Sequence, residues 1–339
     1  RPLRSVVWVV LLGLAGFFSK ENALLLPLFI LVIEAALDDD LPAVFRRRIF
    51  ARWARAALIA AGVTVAVALL TWRTIGGYGS RPFELSERLL TETGVLLWYI
   101  KSLFLPDLNE LSLLHDDWPV WSSLADPAVA LAVAALAGLV GAAVWARSRL
   151  PVLTFGILWF LAGHLLESGF FALDLVYEHR NYLPGFGLLL AAVTLAERTL
   201  RRIPVGHIAA PAAALLLAVA FTAQTHQRAE RWGDDSRARL AHLLSRDGSM
   251  QASIMAAGHL AAMAGRAEAP AERARLLGRA EAQFRHALEV APAGSPAPLF
   301  GWVRMRSRHG LGADPELRRR LKTRLASGSI DDATVNGIH

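Results

Sequence analysis

Glu167 and the run Tyr177-Glu178-His179-Arg180-Asn181-Tyr182-Leu183-Pro184 gather residue types that can bind a phosphate. An arginine forks onto two oxygens while hydroxyls and an amide complete the shell. His179 could serve there as acid or base, since an imidazole ordinarily titrates near pH 6.5. The same residues also suit an interfacial belt, with Tyr177 and Tyr182 as anchors and Arg180 snorkelling to water. Residue types alone leave both readings open. A second charged group, Ser19-Lys20-Glu21-Asn22, interrupts two short apolar blocks. Charges at membrane depth cost about 2.5–3.5 kcal/mol each, so they need partners or water. Lys20 and Glu21 either pair at the rim of a cavity or reach solvent in a tight turn. In a third group, His115-Asp116-Asp117-Trp118, the carboxylates and the imidazole could hold a divalent metal or act as a base, or could be solvated loop residues. Asp38-Asp39-Asp40 reads as a surface cap. There is no glycine-rich phosphate loop, no His-Glu-x-x-His and no nucleophile elbow, so a hydrolase or a nucleotide-driven pump is unsupported. The chain has no cysteine, which removes thiolate metal sites and disulfides. No metal or cofactor is expected.

The elements that must carry these residues are apolar helices. The chain is 54% hydrophobic and only 19% charged, with a mean hydropathy of +0.38. Soluble globular chains carry about 25% charged residues. Apolar blocks fall at 6–18, 23–37, 56–72, 127–145, 152–166, 182–195 and 208–222. A span takes about 20 apolar residues, and backbone polar groups in lipid must be satisfied within the segment. The expectation is therefore an all-α polytopic bundle of about seven membrane helices, with tilt or extension completing the shorter blocks. Arginines sit beside the blocks: Arg1 and Arg4, the cluster from Arg46 to Arg55, Arg147 and Arg149, and Arg198, Arg201 and Arg202. If the helices alternate, all four groups share one side, which the positive-inside rule makes cytoplasmic. The net charge of +7 is thus an orientation signal, and no nucleic-acid partner is expected. Lys20, the loop 73–126, the loop around 167–181 and the tail beyond 224 then share the opposite side.

Within the loop 73–126, Leu89, Thr93, Leu96, Ile100 and Leu103 recur at helical spacing, with Glu87, Thr91, Trp98 and Lys101 roughly opposite. Pro106 ends this helix. The pattern predicts an interfacial amphipathic helix over 88–105, or alternatively an eighth span. The chain thus divides into a membrane bundle, 1–225, and a helical tail, 226–339. In the tail, Ala280, Phe284, Ala287 and Pro292 have the spacing of the second helix of a tetratricopeptide repeat, with 249–264 as its partner. Gly265 to Glu272 reads as an overlong linker, and helices at 298–308 and 315–326 extend the array. An unrelated helical hairpin is the plainer alternative.

Three segments together resemble a family. Phe17-Phe18-Ser19-Lys20-Glu21-Asn22 is similar to the Ser/Cys-Lys-Glu step of the transmembrane-and-tetratricopeptide-repeat O-mannosyltransferases and their bacterial relatives. Glu178 to Gly187 resembles that family's Glu-Arg-x-x-Tyr-Leu-Pro-x-x-Gly segment, with His179 inserted between Glu and Arg. Leu105-Pro106 resembles the end of its outer loop. The resemblance implies a GT-C type glycosyltransferase that takes a sugar from a polyprenyl-phosphate carrier and transfers it to a protein or glycan acceptor on the outer face. It implies that Lys20, Glu21, Glu178, Arg180, Asn181 and Tyr182 line the carrier end of the cavity. The family's acidic catalytic residues lie in a first outer loop that has no counterpart here. The expectation is a fragment whose base lies elsewhere, with His179 the one candidate within it. The Ala/Arg/Leu bias suggests a bacterial inner membrane, with the tail in the periplasm. The competing readings are a ligase or polymerase of lipid-linked glycans and a non-enzymatic scaffold whose repeat tail recruits partners.

Overall fold

The computed structural model describes residues 12, 15–16, 18–37, 78, 81–112, 114–204, 206–232, 236–292, 294–312 and 314–326. The described residues form helices and turns, with no strand among them. They group into two compact units. The first contains 85–111 and 120–215 together with the N-terminal residues, and the second contains 78–84, 112–119 and everything from 216 onward. Parts of the expected outer loop therefore belong with the tail.

The first unit holds α1 (Leu26–Leu37), α2 (Leu85–Phe104), α3 (Pro127–Ala146), α4 (Pro151–His164) and α5 (Tyr182–Leu200). A 3-10 turn, Glu21–Leu25, leads into α1, and another, Glu178–Asn181, leads into α5. The start of α3 follows capping chemistry: the Asp126 carboxylate accepts from the Ala128 amide at 2.8 Å, and Pro127 occupies the first turn. Its 20 residues rise about 30 Å at 1.5 Å each, the thickness of a bilayer's hydrocarbon core. Leu131, Val140, Val144 and Trp145 on this helix are exposed.

Among the described residues, three helical stretches are long and apolar enough to cross a membrane: Pro127–Ala146, Glu178–Leu200 and Ile208–Glu230. They match the expected blocks at 127–145, 182–195 and 208–222. The blocks at 23–37 and 152–166 form shorter apolar helices, Asn22–Ala36 and Pro151–His164. The block at 56–72, the arginine cluster 46–55 and most of the block at 6–18 lie outside the described residues. The three long apolar helices are compatible with a membrane protein.

Helices α4 and α5 approach closely because small residues line their contact. A Cβ on Gly156 would sit 2.6 Å from the Gly187 carbonyl oxygen and 2.8 Å from the Ala191 Cβ. A Cβ on Gly187 would in turn meet the Trp159 Cβ at 2.8 Å. Such small-residue seams let helix backbones meet where apolar burial alone supplies little drive. The Trp159 indole donates to the Leu183 carbonyl at 2.9 Å, and the Thr154 hydroxyl ties α4 to the Ala143 carbonyl of α3 at 2.9 Å.

The expected helix over 88–105 exists as α2 and stops before Pro106. Its buried stripe is Arg88, Thr91, Glu92, Val95 and Tyr99, while Leu85 and Leu89 are exposed. The buried face of α2 is thus largely polar.

The second unit is an alanine-rich helical array. It takes in most of α6 (Gly206–Trp232) and all of α7 (Ser236–Leu244), α8 (Met250–Arg266), α9 (Pro270–Val290), α10 (Ala297–Arg308) and α11 (Pro315–Ala326). Ala252, Ala256, Leu260 and Ala264 of α8 pack against Leu276, Leu277, Ala280 and Phe284 of α9. The connection between them is residues 267–269, shorter than the linker expected from Gly265 to Glu272. Helix α10 adds Leu299, Trp302 and Met305 to this core, and α11 adds Leu317. The Trp302 ring stacks on Phe284 with centroids 6.4 Å apart, and Arg306 pairs with Glu281.

Candidate functional site

In the first unit, three segments remote in sequence meet at the Glu167 carboxylate, which is 4% exposed. Glu167 lies just past the end of α4, where Ser168 N donates to the His164 carbonyl at 2.8 Å. Asn22, in the 3-10 turn before α1, donates to Glu167 Oε1 at 2.6 Å. Lys20 Nζ lies 4.0 Å from the same oxygen, and its side chain is 52% exposed. Arg180 Nε lies 3.2 Å from Oε2 and is buried. The two charged groups singled out in the sequence therefore share one carboxylate.

Arg180 is held on several sides. Its Nη1 donates to the Asp174 carbonyl at 2.6 Å, and its guanidinium lies 4.8 Å from the Tyr177 ring centroid. The Tyr177 hydroxyl donates to Asp174 Oδ2 at 3.1 Å. Fixing a guanidinium in this way preserves its planar fork, which a lysine in its place would lack. Lys20 is the opposite case. Its contact is at the outer limit of an ion pair and half open to solvent, so an incoming anion can meet it without breaking a tight bridge.

A second layer fixes the turn that carries Arg180. Asn181 Nδ2 donates to the Tyr99 carbonyl at 2.9 Å, and Asn181 Oδ1 lies 3.4 Å from His164 Nε2. The His164 ring stacks on Tyr99 at 4.9 Å. The Tyr99 hydroxyl donates to the Tyr177 carbonyl at 2.9 Å and accepts from the Tyr177 amide at 3.0 Å. Beside this lies Arg88, fully buried and paired to Glu92 Oε1 at 2.8 Å. Arg88 also donates to the backbone carbonyls of Glu167 at 2.5 Å, of Gly169 at 2.9 Å, and of Leu173. Glu92 sits on α2, outside the three membrane-length helices. Burial pushes its carboxyl up to about 7, against the pull of the Arg88 and Arg180 charges.

Of the residues expected at the site, Lys20 and Arg180 reach Glu167 directly. Asn181 is buried beneath the turn and locks it rather than facing outward. Glu178 is partly buried on the same turn. His179 is exposed, with its ring 5.3 Å from that of Tyr177. Tyr182 is 89% exposed at the start of α5, a position suited to an interfacial anchor. The Glu21 side chain lies outside the described residues. Sequence reading gave Arg88, Glu92, Tyr99 and His164 no part in the site. Arg88, Glu92 and Tyr99 recur at spacings of four and seven on one helix, a polar stripe that was open to inspection.

The His115-Asp116-Asp117 group belongs to the second unit and holds it together. Asp116 accepts from the Ser249 hydroxyl and, at 2.9 Å, from the Gln251 amide, at the start of α8. Asp117 pairs with Arg246 at 2.7 Å. A carboxylate on the free amides of a helix N-terminus is structural capping. Among the described residues no group of three or more His, Asp or Glu is arranged to hold a metal ion.

Among the described residues, the fold and this buried ion network define a class no finer than an all-helical one with three membrane-length helices. Comparison with protein-family models, with curated proteins and with solved structures finds no match to the chain.

Proposed function

We propose that the chain is a GT-C type membrane glycosyltransferase that transfers a sugar from a polyprenyl-phosphate carrier to a protein or glycan acceptor on the outer face of the membrane. In this reading it spans the bilayer about seven times. The array α8–α11 is a tetratricopeptide-like tail on the outer side, the periplasm of a bacterial inner membrane, where it presents the acceptor.

One observation carries the reading. The two segments that resemble the family, 17–22 and 178–187, converge on Glu167 through Lys20, Asn22 and Arg180. The chemistry fits the residues brought together. A lipid phosphate becomes a good leaving group when cationic donors, fixed in advance, neutralise the charge that develops on it. Lys20, half-exposed at the rim, meets that charge. Glu167 stands 4.0 Å from it, and Arg180 pairs with the other oxygen of that carboxylate. His179, exposed on the adjacent turn, is the candidate to take a proton from the acceptor hydroxyl.

The test is sugar transfer from a polyprenyl-phosphate sugar by the full chain in nanodiscs. Lys20→Ala and Arg180→Ala are each expected to lower kcat/KM by about 10²–10³-fold, the effect of removing one preorganised electrostatic contact. Transfer at the wild-type rate in both variants would overturn the proposal and favour a scaffold, especially if a partner complex also survives both changes.

A further inference from the structure

Helix α2 supplies the residue that fixes the backbone bearing the Glu167 carboxylate. The segment 165–177 leaves α4 and returns to the 3-10 turn at Glu178 without a helix longer than a turn. Such a segment has carbonyls that no ladder satisfies, and a buried one needs donors from elsewhere. Arg88 provides them. Its Nε reaches the Gly169 carbonyl, its Nη1 the Leu173 carbonyl and its Nη2 the Glu167 carbonyl. Glu92, one turn on, holds the guanidinium at 2.8 Å, and neither side chain is more than 3% exposed. Three nitrogens of one rigid plane thus reach three carbonyls spread over seven residues, from 167 to 173.

We propose that Arg88 is the positioning residue of the anion site: by clamping the 167–173 backbone it sets where the Glu167 carboxylate stands between Lys20 and Arg180, and so the affinity for the carrier phosphate. This rests on the glycosyltransferase reading for the identity of the anion, but not for the clamp itself. Arg88 touches no substrate in this scheme. It acts through Glu167. The geometry of the fork is the point of the arrangement, because a lysine would keep the charge opposite Glu92 while its single ammonium could not span the same three carbonyls.

Arg88→Lys is therefore the informative variant, studied in the full chain in nanodiscs. Three measurements are made: the thermal midpoint, amide exchange over 168–176, and the Kd for farnesyl phosphate, a short polyprenyl monophosphate. The expected result is a lowered thermal midpoint with a single cooperative transition, exchange faster by tenfold or more over 168–176 but unchanged in α8–α11, and a Kd weakened about tenfold. Should Arg88→Lys fail to fold, the double variant Arg88→Met with Glu92→Met removes both buried charges together, a replacement cores often tolerate. The same exchange and affinity changes are expected of it. Unchanged exchange over 168–176, or faster exchange with unchanged Kd, overturns the positioning role. A wild-type chain that does not bind farnesyl phosphate overturns the glycosyltransferase reading instead, and exchange alone then decides whether Arg88 is the clamp.

Discussion

Glu92 shows how one buried group can be read through pH. Its carboxyl is raised from an ordinary value of 4.5 to about 7, chiefly because burial disfavours the charged form. The folded protein therefore keeps a proton that the unfolded chain has already released. By linkage, its contribution to stability falls as pH rises from about 4.5 to about 7 and is flat above that. Glu92→Gln removes the titration and keeps a polar group of the same shape. We expect the thermal midpoint of the wild type to fall across this window relative to the variant's, and parallel pH profiles would sink the assignment. Asp116 makes a second case at this scale. Its carboxylate caps the start of α8, so Asp116→Ala should cost about 0.5–2 kcal/mol of stability in denaturant unfolding of the second unit. If Asp116 were instead a metal ligand, chelators would destabilise the wild type, and we expect them to have no effect. Sequence alone could not decide between these roles, because the partners Ser249 and Gln251 lie more than 130 positions away.

At the scale of elements, the glycines of helices divide into two kinds. Gly156 sits where any Cβ would collide with the Gly187 carbonyl, whereas Gly278 in α9 has open space around it. We expect Gly156→Ala to force α4 and α5 apart and cost about 1–3 kcal/mol. Gly278→Ala should stabilise by up to about 1 kcal/mol, through helix propensity alone. Thermal midpoints that move in the same direction for both would contradict the close packing. Much of this level was legible beforehand. Block lengths placed α1, α3, α4, α5 and α6, and Pro106 marked the stop of α2. The orientation of α2 was not legible. Periodicity reports which residues share a face, not whether that face meets a core or an apolar surrounding. Leu85 and Leu89 turn outward, while Arg88 and Glu92 turn inward, because each of these charges finds the other and Arg88 also finds carbonyls. Nor could the convergence on Glu167 be read, since Asn22 stands 145 residues away from it.

For the whole molecule, the decisive matter is which ends of the helices share a compartment. The seam between α4 and α5 pairs Gly156 with Gly187 and Ala191, and Gly163 with Pro184, so the two helices run antiparallel. Arg147 and Arg149 precede α4, and Arg198, Arg201 and Arg202 end or follow α5, so these five cations lie at one end of the pair. Glu167 follows α4 and Arg180 precedes α5, which puts the candidate site at the other end. If the pair crosses a bilayer, the positive-inside rule keeps the arginine end in the cytoplasm and turns the site outward. In the proposed glycosyltransferase reading, that is the side on which the polyprenyl-linked sugar is consumed. The absence of native cysteine makes the point directly testable with single-cysteine variants. Tyr182→Cys, at a position 89% exposed beside the site, should react with a membrane-impermeant maleimide on intact cells. Ser148→Cys, between the two arginines ahead of α4, should react only after the cells are permeabilised. The reverse pattern would place the cationic rim in the cytoplasm, where an outward-facing transferase has no use for it.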